Sequence, residues 1–111
     1  MKVPNADRAL VDIRKLKEYC LNTQHRIGKN KAKVFATALG LTADDAEELL
    51  SILLKVIEVS DAEIGLKDRY GQRYLIDFPL EWRGGKATVR SSWIIEPDMS
   101  YPRLTSCYVL E

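Results

Sequence analysis

Two rhythms divide this chain. Up to Ser60 apolar residues recur every three or four positions; from Ile64 onward they alternate. In the first part, Asp12 is placed to cap a helix, and Val11 can pack on Leu16 across that cap. Ile13, Leu16 and Cys20 then share one face, which predicts a helix over 12–22. Asn22 to Gly28 reads as a loop, because Asn, Thr and Gly are turn formers. Asn30 is the expected cap of a second helix over 31–39, with Ala32, Phe35, Ala36 and Leu39 inward and Gly40 as its stop. Thr42 followed by Asp45 resembles a capping box, and opens a third helix over 43–59. Ala46, Leu49, Leu50, Leu53 and Ile57 form its stripe. Ile52, Leu54 and Val56 make it apolar almost all round, which predicts a central position.

The alternating part predicts strands over 64–70, 73–82, 86–95 and 103–110, with a turn at Gly71-Gln72. Tyr74, Ile76, Phe78, Leu80 and Trp82 lie on one side of the second strand, and Pro79 marks an edge or a bulge. Arg83-Gly84-Gly85-Lys86 is a hairpin signal. Ala87, Val89, Ser91, Trp93 and Ile95 face one way in the third strand. Helices first and strands afterwards predict an α+β fold. Three N-terminal helices would pack on one face of a roughly four-stranded antiparallel meander, in a single domain spanning 1–111.

Composition narrows the function classes. At 111 residues, 46% hydrophobic and 30% charged, the chain can bury a core without staples. No apolar run approaches the roughly 20 residues of a membrane span, and Met1 to Asp7 hold no apolar signal core, so the expectation is a cytoplasmic protein with no membrane partner. One histidine and two distant cysteines, Cys20 and Cys107, make a poor metal donor set; buried free thiols and no cofactor are expected. A net charge of +1 speaks against broad, sequence-independent nucleic-acid binding. The charge is unevenly spread, however. Residues 1–33 hold nine Lys/Arg against three Asp/Glu, and residues 41–68 hold two against eight. A phosphate-rich ligand would approach the early part; alternatively, the opposed charges mediate self-association.

The candidate chemistry sits in that basic part. His25, the only histidine, is followed by Arg26, Lys29, Lys31 and Lys33. Cations around an imidazole favour its neutral form, which suits a general base toward a ribose 2′-hydroxyl. The lysines flank a helix start, where backbone N–H groups favour an anion, unless they form only a solvated helix face. On the sheet, Arg73, Asp77, Thr88, Arg90 and Ser92 would point away from the helices, joined by either Thr105 or Tyr108. Arg90 either serves a ligand or pairs across the strands with Asp77. His25, Lys31 and Arg90 converge only if the loop before the second helix reaches the sheet edge. No glycine-rich phosphate loop of recognised spacing is present.

Lys15-Leu16-Lys17-Glu18-Tyr19-Cys20-Leu21-Asn22, then His25, Gly28, Lys31-Ala32-Lys33-Val34-Phe35 and Leu39-Gly40-Leu41, resemble an uncharacterised bacterial family of domains of unknown function. In that family a KLxxYLLN…HPxGxxKAxxF…LG pattern opens the domain. Tyr70 to Tyr74, Thr88 to Trp93 and Pro102 to Tyr108 resemble its later segments. Arg26 departs from the pattern, which has proline after the histidine, and so loosens the loop. The element order is in turn similar to the barnase–EndoU–colicin–RelE group, whose members include metal-independent ribonucleases of toxin–antitoxin systems. That similarity, an analogy of fold, implies catalysis by His25, Lys31 and Arg90, with Lys29, Lys33, Arg73, Ser92 and Tyr108 holding substrate. RNA and a cognate antitoxin or immunity protein would be the partners. The competing reading is a non-enzymatic protein-binding module of the antitoxin, immunity or accessory kind.

Overall fold

Helices and strands meet along one apolar layer of 22 buried residues, which places every long element in a computed structural model describing Met1–Glu111. The first helix, α1, is α-helical over Ile13–Lys15 and continues as a wider π turn over Leu16–Cys20, closed by the Leu21 N–H on the Leu16 carbonyl at 2.9 Å. Asp12 caps it as expected, accepting from the Arg14 N–H at 3.0 Å. Helix α2 spans Lys29–Leu39 and ends on Gly40 at φ 67°, the left-handed stop that glycine adopts cheaply. Thr42 and Asp45 form the expected capping box, a 3-10 turn over Ala43–Asp45 follows, and α3 runs Ala46–Val59.

The sheet is an antiparallel meander in the order β1 (Glu63–Asp68), β2 (Gly71–Trp82), β3 (Gly85–Ile95), β4 (Arg103–Val109). The fold is α+β, with helices then sheet, as the change of period predicts. Phe35, Leu16, Leu49, Leu53 and Ile57 meet Ile76, Val89 and Trp93 at the centre, all fully buried. Each such side chain contributes on the order of 1.5–3 kcal/mol. Pro79 is tolerated because β1 pairs β2 only as far as Leu75, so β2 is an edge beyond it. Arg83 and Gly84 both take positive φ, 48° and 88°, as a tight hairpin requires.

Three expectations shift, and one stretch without a sequence expectation proves structured. Helix α2 begins at Lys29 rather than 31, continuing a turn in which the Lys29 N–H already donates to the His25 carbonyl at 3.0 Å, and its cap position is Gly28, not Asn30. The first hairpin turns at Arg69-Tyr70, where the Asp68 carboxylate accepts from the Tyr70 N–H at 2.9 Å. Gly71 opens β2, and there a Cβ would lie 2.3 Å from the Ile95 carbonyl oxygen, so the β3 backbone demands a glycine. Helix α3 is not enclosed: Ser51, Lys55 and Glu58 are exposed, and Ile52, Leu54 and Val56 only half-buried. Finally, the N-terminal stretch is structured: Leu10 exchanges backbone hydrogen bonds with Pro102 and Leu104, covering the first residues of β4.

A polar knot sits inside the apolar layer. The buried Ser91 hydroxyl donates to the Ile76 carbonyl at 3.0 Å and accepts from the Trp93 indole N–H at 3.0 Å. Ser91→Ala leaves that indole without an acceptor, so stability should fall by about 1–3 kcal/mol. Urea unfolding followed by tryptophan fluorescence measures it.

Candidate functional site at the edge of β4

Pleating decides which side chains leave the core. Val89, Ser91 and Trp93 face the helices, so Arg90 and Ser92 face away. In β4, Cys107 pairs with Ser91 and Tyr108 with Arg90, which puts Tyr108 and Ser106 on the open face. Thr105 falls at an irregularity between β3 and β4, and its hydroxyl donates to the Ser92 carbonyl at 3.1 Å. The open face therefore carries Tyr108 rather than Thr105.

Beyond Leu104 the outer edge of β4 meets the end of α1 and the start of α2. A small recess there, with about 30 Å³ of room and partly open to solvent, is lined by Tyr19, Cys20, Gly28, Lys31, Ser106, Cys107 and Tyr108. Gly28 gives the Tyr19 ring room: a Cβ would sit 3.0 Å from it, so the ring would have to yield by a few tenths of an ångström. The Lys31 ammonium reaches across the strand edge to lie 3.8 Å from the centre of the Tyr108 ring. Two strands, one helix and one loop thus bring Lys31, Tyr108 and Arg90 into a row.

Arg90 is held by a bidentate bond to Asp77, Nε to Oδ1 at 2.8 Å and a terminal nitrogen to Oδ2 at 2.9 Å. The cross-strand pair foreseen as the alternative for Arg90 is therefore present. The Asp77 hydrogen bond, and after it the Tyr108 hydroxyl, hold the guanidinium above its ordinary range. The Arg90 bond lowers Asp77 from its usual 3.8, against a smaller opposing effect of burial.

His25 does something the sequence does not reveal. Its Nδ1 accepts from the backbone N–H of Ile27 and of Gly28, both at 3.0 Å, and so caps the turn feeding α2. With Nδ1 accepting, the neutral ring carries its proton on Nε2, which has no partner in the chain. The ring packs edge-on against Tyr19 at 4.9 Å, beside the recess but behind its wall.

The remaining candidates spread out. Lys29 and Lys33 are exposed, and the 3.6-residue period turns them to the other side of α2 from Lys31. Arg73 lies four positions from Asp77 along β2, roughly 13 Å at strand rise, and approaches Asp68 at 3.8 Å. Ser92 stands next to Arg90 on the open face, opposite Ser106. Tyr19, Gly28 and Ser106 line the recess without having drawn attention as site residues, and Cys20 was expected only as a buried thiol.

A family model for a domain of unknown function, DUF6883, matches residues 2–111. The chain belongs to this family. Among curated proteins none matches its sequence. The structure of this DUF6883 domain is similar to a chain of a contact-dependent growth inhibition toxin–immunity protein complex from Klebsiella pneumoniae 342. Identity is 15%, the TM-score 0.71, and the match covers 96% of this chain and 97% of that one. At that identity the likeness is one of fold. No helix of the domain is long and apolar enough to cross a membrane.

Two outcomes check the geometry. His25→Ala removes the acceptor of two backbone donors, and should cost about 1 kcal/mol in urea unfolding, as loss of a helix cap does. Asp77, lowered in the folded state, binds protons less readily than in the unfolded chain. Its pair therefore stabilises above the ordinary carboxylate value, and that contribution is lost as pH falls through the lowered one. The effect is small, since side-chain exposures of 31% for Arg90 and 39% for Asp77 leave the pair screened by solvent. Asp77→Asn should flatten the acid limb of the stability–pH curve relative to wild type.

Proposed function

We propose that this domain is a metal-independent ribonuclease that acts as a bacterial growth-inhibition toxin, held in check by a cognate immunity protein. The observation that carries the reading is the row of Lys31, Tyr108 and Arg90 along an open strand edge: two fixed cations on either side of a phenol. RNA brings its own nucleophile. The 2′-oxygen attacks phosphorus, the P–O5′ bond breaks, and the 2′ proton ends on solvent or the leaving oxygen. What the protein must supply is charge on the crowded phosphorane, and Lys31 and Arg90 supply it in this scheme. Tyr108 and Ser92 position non-bridging oxygens. Lys29, Lys33 and Arg73 steer the flanking backbone from further out, where only long-range attraction acts.

The geometry alters the part expected of His25. A ring whose Nδ1 is occupied and whose Nε2 bears the proton is a hydrogen-bond donor, not a base. In the proposed site His25 shapes the α2 entry and positions the Tyr19 wall of the recess, without touching the substrate. The likeness to a chain of a toxin–immunity complex supports a growth-inhibition role through fold alone.

One observation favours the non-enzymatic reading, a toxin-neutralising or accessory module. Arg90 is already satisfied by Asp77, and a guanidinium so engaged is a rigid surface feature for a protein partner. Cleavage separates the two. Purified protein should cut a mixed transfer-RNA substrate in EDTA and arrest bacteria when expressed without a partner. Lys31→Ala and Arg90→Ala should each lower the rate about 10²–10³-fold, the size of a lost electrostatic donor. Harmless accumulation and intact RNA would leave the binding module as the function.

A further inference from the structure

The two cations of the row are not equally available. Lys31 takes part in none of the ion pairs of the chain and lies against the Tyr108 ring. Arg90 is already engaged. Asp77 and Arg90 stand directly opposite each other on β2 and β3, with both side chains on the open face. The Asp77 oxygens take Nε at 2.8 Å and a terminal nitrogen at 2.9 Å, so the side-on edge of the guanidinium is filled. A phosphate seeks that same fork, because two of its oxygens match the edge as a carboxylate does. A second pair on these strands shows that so close a fit is not automatic. Glu81 and Lys86 are also directly opposed, yet they meet at a single contact of 3.8 Å with most of both side chains exposed.

We propose that Asp77 is an internal substitute for the ligand's phosphate: it occupies Arg90 in the free protein and gives way when a phosphodiester arrives. Asp77 plays this part only if the row binds phosphate, so its role rests on the site proposed above. In the free protein the carboxylate cancels the charge of Arg90 and keeps its fork on the open face. A lone anion must break this two-bond contact to gain another of the same kind, with little net advantage. An RNA chain gains more, since it meets Lys31 and the outlying lysines in the same event. Asp77 is thereby a specificity-determining residue, biasing the site toward chains of phosphodiesters and against free phosphate or sulfate.

A double-mutant cycle separates this exchange from a general effect of charge. The probe is a labelled oligonucleotide with hydrogen at every 2′ position, in EDTA, and its affinity is read by fluorescence anisotropy for wild type, Asp77→Asn, Arg90→Gln and the double variant. Asp77→Asn should tighten binding about five- to tenfold, the worth of one close charge contact in water. Its plot of log affinity against log salt should steepen by about 0.7, because the freed guanidinium then carries a counterion that binding releases. In the Arg90→Gln background the same change should gain less than about twofold, as should Glu81→Gln on the same face, because neither frees a guanidinium and only screened charge is left. Asp77→Ser repeats the variant should asparagine disturb the strand. Binding that Asp77→Asn leaves unchanged or weakens, or a gain that persists in full without Arg90, would overturn the proposal while the anion site stands. An oligonucleotide bound by none of these proteins would end both.

Discussion

The two-residue period of β3 and β4 is the constraint that ties the core of this protein to its surface chemistry. A register that buries Val89, Ser91 and Trp93 must send Arg90 and Ser92 to the opposite face. Pairing Cys107 with Ser91 likewise places Tyr108 beside Arg90. A slip by one residue would exchange the two sets and dissolve both at once. The Ser91–Trp93–Ile76 hydrogen bonds oppose such a slip. They give the buried face a polar match that only one register satisfies.

The helical layer adds the second half of the site. Gly28 lets the Tyr19 ring lie against the start of α2, and His25 gathers the backbone donors there. That fixes where α2 begins, and so which of its lysines comes round to β4. Lys31 reaches the Tyr108 ring, while Lys29 and Lys33 stay on the other side. A lysine next to an aromatic face and an arginine locked to a carboxylate are both held in place, which under the proposed function leaves little rotamer freedom to lose on binding an anion.

Much of the fold was legible because its signals are local. Asp12, Gly40 and the Thr42–Asp45 pair cap the helices the sequence proposes, and Arg83-Gly84 turns the hairpin it marks. Alternation assigned the faces of β2 and β3 correctly. The errors arise where tertiary contact outweighs local preference. Gly71 looks like a turn residue, yet it is a glycine because Ile95 passes so close. Asn30 looks like the cap of α2, yet the helix already begins at Lys29, after a turn whose backbone donors an imidazole gathers. Nothing in the spacing of Leu10 announces a bridge to β4. The site was half legible: the face of Arg90 could be foreseen, whereas the last strand left Thr105 and Tyr108 open until its irregular pairing was seen, and the meeting of Lys31 with Tyr108 depends on where α2 docks.

The central claim is an anion site along the β4 edge, and NMR titration tests it most directly. An RNA oligonucleotide with every 2′-hydroxyl replaced by hydrogen binds as a phosphodiester but cannot be cleaved. Added to labelled protein, it should shift the Arg90 Nε and Tyr108 resonances first, with Lys31 and Gly28 close behind and the Arg83-Gly84 hairpin unmoved. Shifts confined to that hairpin or to the exposed side of α2, with Arg90 and Tyr108 silent at saturation, would contradict it.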